Sequence, residues 1–212
     1  MPSYPHAISQ TGNNRLSVDN AALLFVDHQT GLLQLVRDYS PEEFRNNVLA
    51  LADIGHMYNL PTILTTSFEQ GPNGPIMPEL KQRFPNAPFI ARPGEINAWD
   101  NPDFVKAVKA TGRKKLIIAG IVTDVCVALP TLSALAEGFD VYVVADASGT
   151  VSKAVRDIAL MRLVHAGAIV TNWFAVSSEL HRDWRHDGEG LTKFVHEHLI
   201  SYQHLIDSRS QK

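Results

Sequence analysis

Six short runs with strand signals alternate with segments carrying helical signals, and this alternation restricts the fold of the 212-residue chain more than any other feature. The runs cover 21–26, 61–66, 89–91, 115–119, 139–144 and 168–171. The first, Ala21-Ala22-Leu23-Leu24-Phe25-Val26, is apolar at every position. Such a run suits a strand covered on both faces, as in a parallel sheet, because a strand with one wet face alternates apolar and polar residues. Pro41-Glu42-Glu43 opens a helix, with proline in the first turn and carboxylates near the positive end of the dipole. Phe44, Val48, Leu51, Gly55 and Tyr58 then recur at helical spacing along one face. Further helices are expected over 102–110, 123–137 and 152–166, closed by Gly112, Gly138 and Gly167.

Strand followed by helix throughout predicts an α/β fold built on a parallel sheet. No repeat or linker divides the chain, so 1–212 is expected to be a single domain. Residues 1–18 are polar and irregular and are expected to form an arm on the surface. The histidine-rich segment 186–212 is expected to be a helical extension.

Composition excludes several classes of function. Hydrophobic residues make up 45% of the chain and charged residues 19%, enough apolar material for a large core and too much for a disordered chain. The net charge of −3 comes from 19 basic and 22 acidic residues spread along the whole length, so no basic stripe predicts a nucleic-acid partner. No apolar run approaches the roughly 20 residues of a membrane span, and Met1 to Gln10 lack the cationic and apolar parts of a secretory signal. A single cysteine cannot close an intrachain disulfide. Together these predict a cytoplasmic protein that works without a membrane.

In open α/β sheets, ligands bind beyond the carboxyl ends of the strands. At those ends this sequence places Asp27, Arg92 and the segment Gly120-Ile121-Val122-Thr123-Asp124-Val125-Cys126. With Thr123 as N-cap, Cys126 would sit in the first helical turn, near unpaired N–H groups and the positive dipole end. A thiol near pKa ~8.5 is about 3% ionised at pH 7, and lowering it to ~6 raises that to roughly 90%. Position alone fits a nucleophile and a small buried hydrophobe equally. Asp27 could take the thiol proton and return it to a leaving amine, or cap the following loop. Arg92 could orient Asp27, or be an ordinary surface arginine in a turn.

The sequence Leu-Phe-Val-Asp at 24–27, the cation at 92 and Gly-Ile-Val-Thr-Asp-Val-Cys-Val at 120–127 resemble the isochorismatase-like cysteine hydrolases, a group that includes nicotinamidases. The stretch from Arg92 to Phe104 is most similar to the YcaC-type branch, whose substrates are uncertain. The resemblance runs from about residue 19 to residue 185. It implies a Rossmann-like, three-layer α/β/α fold whose six parallel strands lie in the order 3-2-1-4-5-6. It further implies a triad of Asp27, Arg92 and Cys126, a cis peptide between Ile121 and Val122, and an oxyanion hole made by the Val122 and Cys126 amides. The expected activity is hydrolysis of a small amide-like C–N bond through a thioester on Cys126. Members of the branch are commonly octamers, so a homo-octamer is expected. The family usually has lysine where this chain has Arg92. Arginine stays charged and forks across a carboxylate, so it can position Asp27 but is a poor proton donor. That departure favours the alternative reading, an oligomeric binding or scaffold protein with a reactive thiol and little turnover. An activated thiol would also be open to oxidation.

Nicotinamidases carry an Asp-x-His metal motif after the second strand. Here Ser67-Phe68-Glu69 stands in its place without histidine, so no metal is expected. His28, Phe68, Asn97, Trp99 and Thr123 are candidate pocket residues. His196-Glu197-His198 lacks the second histidine of a zinc helix, because position 200 is Ile200, and suits a solvated helix surface. No G-x-G-x-x-G follows the first strand, so no dinucleotide cofactor is expected. Pro130 falls inside the expected Cys126 helix, where it should kink the chain.

Overall fold

The computed structural model describes residues 15–210. Six strands form one all-parallel sheet: β1 (Ala21–Val26), β2 (Thr62–Ser67), β3 (Phe89–Arg92), β4 (Lys115–Gly120), β5 (Asp140–Val144) and β6 (Ile169–Thr171). Their order is β3-β2-β1-β4-β5-β6, as the sequence resemblance implied. β1 is buried at all six positions, which is why its sequence shows no alternation.

The two faces of β1 feed two separate cores. Leu23 and Phe25 pack with α1 (Pro41–Met57), α6 (Trp173–His181) and α7 (Gly188–His198). Leu24 and Val26 pack with α3 (Pro102–Ala110), α4 (Ala128–Ala136) and α5 (Lys153–His165). A short helix, α2 (Pro78–Arg83), lies in a stretch where the sequence showed only a loop, and α8 (Ile200–Ser210) follows α7. Six residues are too few to display a helical period, so α2 leaves no signal beyond Pro78 at its start. Among the described residues, no helix is long and apolar enough to cross a membrane.

The chain leaves β1 toward β2 on one side and arrives at β4 on the other, so a crevice opens beyond the β1 and β4 carboxyl ends. The register aligns Val26 with Gly120 and with Thr65, and Ser67 with Arg92. Asp27, Arg92 and the segment after Gly120 therefore share one edge of the sheet.

Three expectations are corrected. Most of the predicted arm, 1–14, lies outside the described residues, but Leu16 is fully buried in the core rather than on the surface. Its amide donates to Glu179 and its carbonyl accepts from Arg182, which fastens it to α6. His198 is also buried, not on a solvated face. Its Nε2 lies 3.0 Å from Asp53 Oδ2 and its Nδ1 3.1 Å from Asn46 Oδ1, fixing α7 to α1.

The expected helix 123–137 is in two pieces, a π-helical turn over Thr123–Val127 and then α4. Pro130 supplies the reason. It has no N–H to bond the Cys126 carbonyl four residues back, so an α ladder cannot run through this point. The turn bonds five residues back instead, with Val127 N–H on Val122 O at 3.2 Å.

Candidate active site

Asp27 follows directly on β1 with a left-handed backbone (φ 58°), a conformation in which few non-glycine residues occur. Its amide donates to Thr65 O at 2.9 Å and its carbonyl accepts from Gln29 N at 2.7 Å, so both sides of the bend are held. The side chain is completely buried. Oδ1 accepts from Arg92 Nη2, while Oδ2 has no partner of hydrogen-bond geometry among the described residues. A buried, half-satisfied carboxylate marks a place where chemistry is expected rather than packing.

Arg92 ends β3 and is among the largest fully buried side chains. Its guanidinium is used in three directions: Nη2 on Asp27, Nε on Thr65 Oγ1 at 3.0 Å and Nη1 on the Glu95 carbonyl. Thr65 Oγ1 in turn donates to Ile90 O at 2.8 Å. Thr65 is a site-building residue that the sequence reading missed. Its signal was present as Thr65-Thr66-Ser67, three hydroxyls on a strand whose every residue is buried. Gln29, also missed, ties the loop after Asp27 to β2 through the Ser67 amide and carbonyl, at 2.9 and 3.0 Å.

Cys126 lies in the π turn, with its thiol against the Asp27 carboxylate, whose charge acts on it. The Val122 backbone lies close enough to act on the same sulfur, opposing the rise of its pKa, and the peptide joining Ile121 to Val122 is cis. The thiol is pushed up to about 12, first by burial and then by the negative charge of Asp27, so the expected depression by a helix start is overturned. No side chain caps this turn; Thr123 is buried, with its hydroxyl unpartnered among the described residues and its amide on Gly149 O at 3.0 Å. Burial also pushes the Asp27 carboxyl above its ordinary value, with Arg92 opposing.

The structure therefore brings together Asp27, Arg92, Cys126 and the Val122 amide. Phe68, half exposed after β2, stays beside them, since its amide donates to the Arg92 carbonyl at 3.0 Å. The other candidates turn elsewhere. His28 is wholly buried with its ring between Phe25 and Phe44 and its Nε2 3.0 Å from Ala147 O. Asn97 caps a short turn by accepting from Trp99 N and donates to Ser133. Trp99 packs edge-on against Phe104 and Phe139 and donates to Glu137 at 2.8 Å. His28 and Trp99 serve packing and Asn97 holds a turn, because side-chain direction depends on which layer covers the residue, and a loop sequence does not carry that information.

Residues 21–174 match the isochorismatase domain. The chain is 63% identical over 194 residues to the probable hydrolase YcaC of Escherichia coli strain K12, covering 92% of this chain and 93% of that protein. A solved structure of YcaC from Pseudomonas aeruginosa, with hexane-2,5-diol and covalent acrylamide, has a TM-score of 0.91 at 68% identity, covering 93% of this chain and 98% of that one. The crystal structure of E. coli YcaC, described as an octameric hydrolase of unknown specificity, has a TM-score of 0.92 at 60% identity, covering 94% and 98%.

Proposed function

This chain belongs to the isochorismatase family and is a hydrolase of that family, and we propose that it cleaves a small amide-like C–N bond with Cys126 as nucleophile. The observation that carries this reading is the placement of the Cys126 thiol against a buried carboxylate held from behind by Arg92. In the resting site the proton stays on sulfur. As a carbonyl carbon approaches, Asp27, made more basic by burial, takes the proton while the S–C bond forms. The oxyanion is received by the Val122 and Cys126 amides, each such donor being worth about 2.7–4 kcal/mol where measured. Asp27 then gives its proton to the departing nitrogen as the C–N bond breaks, leaving a thioester. Water hydrolyses the thioester to a carboxylic acid, with Asp27 again as base.

Arg92 donates no proton in this scheme. It keeps Asp27 oriented and balances its charge, tasks for which a permanently charged fork suits better than an ammonium. Covalent acrylamide in the 68% identical relative supports a soft nucleophile of this kind, since acrylamide is an electrophile that thiolates attack. A raised thiol also argues against a redox-sensing role, which needs a standing thiolate.

The same reading takes the protein to be a homo-octamer. On α5, Ile158, Met161 and Val164 are each more than half exposed, an apolar face suited to a second copy of the chain. The octameric E. coli relative supports this. Sedimentation should give a particle eight times the 23.4 kDa chain mass, and a 23.4 kDa particle would refute it.

The test of the hydrolase reading is intact-protein mass spectrometry during turnover of a panel of small amides. An acyl adduct that maps to Cys126 and vanishes in Cys126→Ala is the expected result. Turnover that survives Cys126→Ala overturns it.

A further inference from the structure

The loop that follows β5 touches both halves of the hydrolytic site while contributing no member of the triad. Gly149 lies along the extension of β4 and bridges to Ile121. Its amide donates to Gly120 O at 3.2 Å and its carbonyl accepts from Thr123 N at 3.0 Å, so it brackets the Ile121-Val122 segment. On the other edge of that segment the Ile121 amide donates to Val26 O at 3.1 Å. A Cβ on Gly149 would lie 2.7 Å from the Val36 side chain and 3.0 Å from the Phe44 ring. The loop is thus pressed against the stretch of chain that leads away from Asp27.

Thr150, the next residue, has no exposed surface, and each of its polar groups is committed to one of these two connections. Its amide donates to Asp38 Oδ1 at 2.9 Å and its carbonyl accepts from Arg37 N at 2.8 Å. Both partners lie between Asp27 and α1. Its hydroxyl donates to Asp124 Oδ1 at 2.6 Å, in the π turn that carries Cys126 two residues later. Asp124 caps nothing in its own turn, so its carboxylate is used outward, as a tie. One residue therefore joins the connection that carries the base to the turn that carries the nucleophile.

This turn needs an outside tie. Pro130 offers no N–H to the Cys126 carbonyl, so the helix ladder does not hold the turn from its far side. A hydroxyl donating to a carboxylate is a charge-assisted bond, roughly twice as strong as a neutral one. Misplacing a reacting group by about 1 Å costs on the order of 100-fold in rate.

We propose that Thr150 is a positioning residue of this hydrolase, whose hydroxyl, through Asp124, sets where the Cys126 thiol and the Val122 amide stand relative to Asp27. The role rests on Cys126 being the nucleophile and is exerted through Asp124.

Thr150→Val keeps the shape and removes the hydroxyl, whereas Thr150→Ser keeps the hydroxyl. The probe is p-nitrophenyl acetate, followed as acetyl mass on Cys126. The S–C bond forms as p-nitrophenolate leaves, and the thiol proton passes to Asp27. Acetylation should fall by about tenfold or more in Thr150→Val and stay within about threefold of the parent in Thr150→Ser. Asp124→Ala should lose as much, and the double variant no more than either, since all three break one tie. Asp124 is partly exposed, so Asp124→Ala tests the tie even where Thr150→Val does not fold. Iodoacetamide alkylation of Cys126 reads the same geometry without acyl transfer. At pH 9 it should quicken by about fivefold or more in Thr150→Val, as the thiol moves off Asp27, and return to the parent rate in Thr150→Ser. Unchanged acetylation or unchanged alkylation in both Thr150→Val and Asp124→Ala overturns the positioning role. So does a Thr150→Ser variant as impaired as Thr150→Val. Acetylation at the parent rate in Cys126→Ala overturns the nucleophile reading instead, and the alkylation rates then still decide whether Thr150 holds the turn.

Discussion

Arg92 donates through Nη2 to Oδ1 of Asp27, and neither side chain has any exposed surface. The pair occupies one carboxylate oxygen and leaves the other without a bond of good geometry. One contact thus both holds the base in place and keeps part of its proton-accepting capacity free.

Arg92→Lys should destabilise the fold despite conserving charge. A lysine cannot serve Asp27, Thr65 and the Glu95 carbonyl together, and each abandoned buried acceptor costs about 1–3 kcal/mol. Arg92→Ala should cost more, about 3–5 kcal/mol, because it strands a buried carboxylate. Urea unfolding of both variants checks the order, and a lysine variant as stable as the parent contradicts the three-way clamp.

Alkylation of Cys126 should be slow at neutral pH and accelerate steeply in alkali. With the thiol at about 12, on the order of one sulfur in 100,000 is ionised at pH 7. Iodoacetamide should therefore react more slowly with the resting protein than with glutathione. Asp27→Asn removes the second-largest cause of the rise and should speed labelling at pH 9 while abolishing turnover. A variant that labels more slowly than the parent would break the link between the two side chains.

His28 sets an acid limit on stability. Burial lowers its imidazole to about 4 from an ordinary 6.5, so between those values the unfolded chain is protonated and the native one is not. Stability therefore rises with pH across that window, and each unit of acidification costs about 1.4 kcal/mol until the loss ends near pH 4. Asp146, raised by burial to about 6, acts in the opposite sense below that pH. Unfolding of His28→Gln alongside the parent from pH 4 to 7 isolates the histidine. Parallel curves would contradict the assignment.

Gly120→Ala should damage the site through the backbone. A Cβ at Gly120 would lie 2.3 Å from Val26 O, the carbonyl immediately before Asp27, and 3.0 Å from the Val127 side chain in the π turn. β1 and β4 must part at the point where they present Asp27 and Cys126. Loss of both thermal stability and turnover is expected. Loss of neither would show that the close approach is unimportant.

Much of this protein is determined locally and could be read from the chain. Strands buried on both faces need continuous apolar runs, so Ala21–Val26 declared both its conformation and its place in the sheet. Polar residues that end such runs mark the ligand edge, which singled out Asp27, Arg92 and the Cys126 segment. Only the tertiary structure decided what those residues are like once assembled. A helix start in the sequence promised an acidic thiol, whereas burial against Asp27 made it a weakly acidic one. His28 and Trp99 turned to packing, Asn97 to capping a turn, Thr65 proved to be part of the site, and Pro130 recast the first turn of the Cys126 helix as a π turn. The reason is common to all of them. Periodicity and chain position are properties of neighbours in sequence, while ionisation and side-chain direction depend on which distant groups exclude the water.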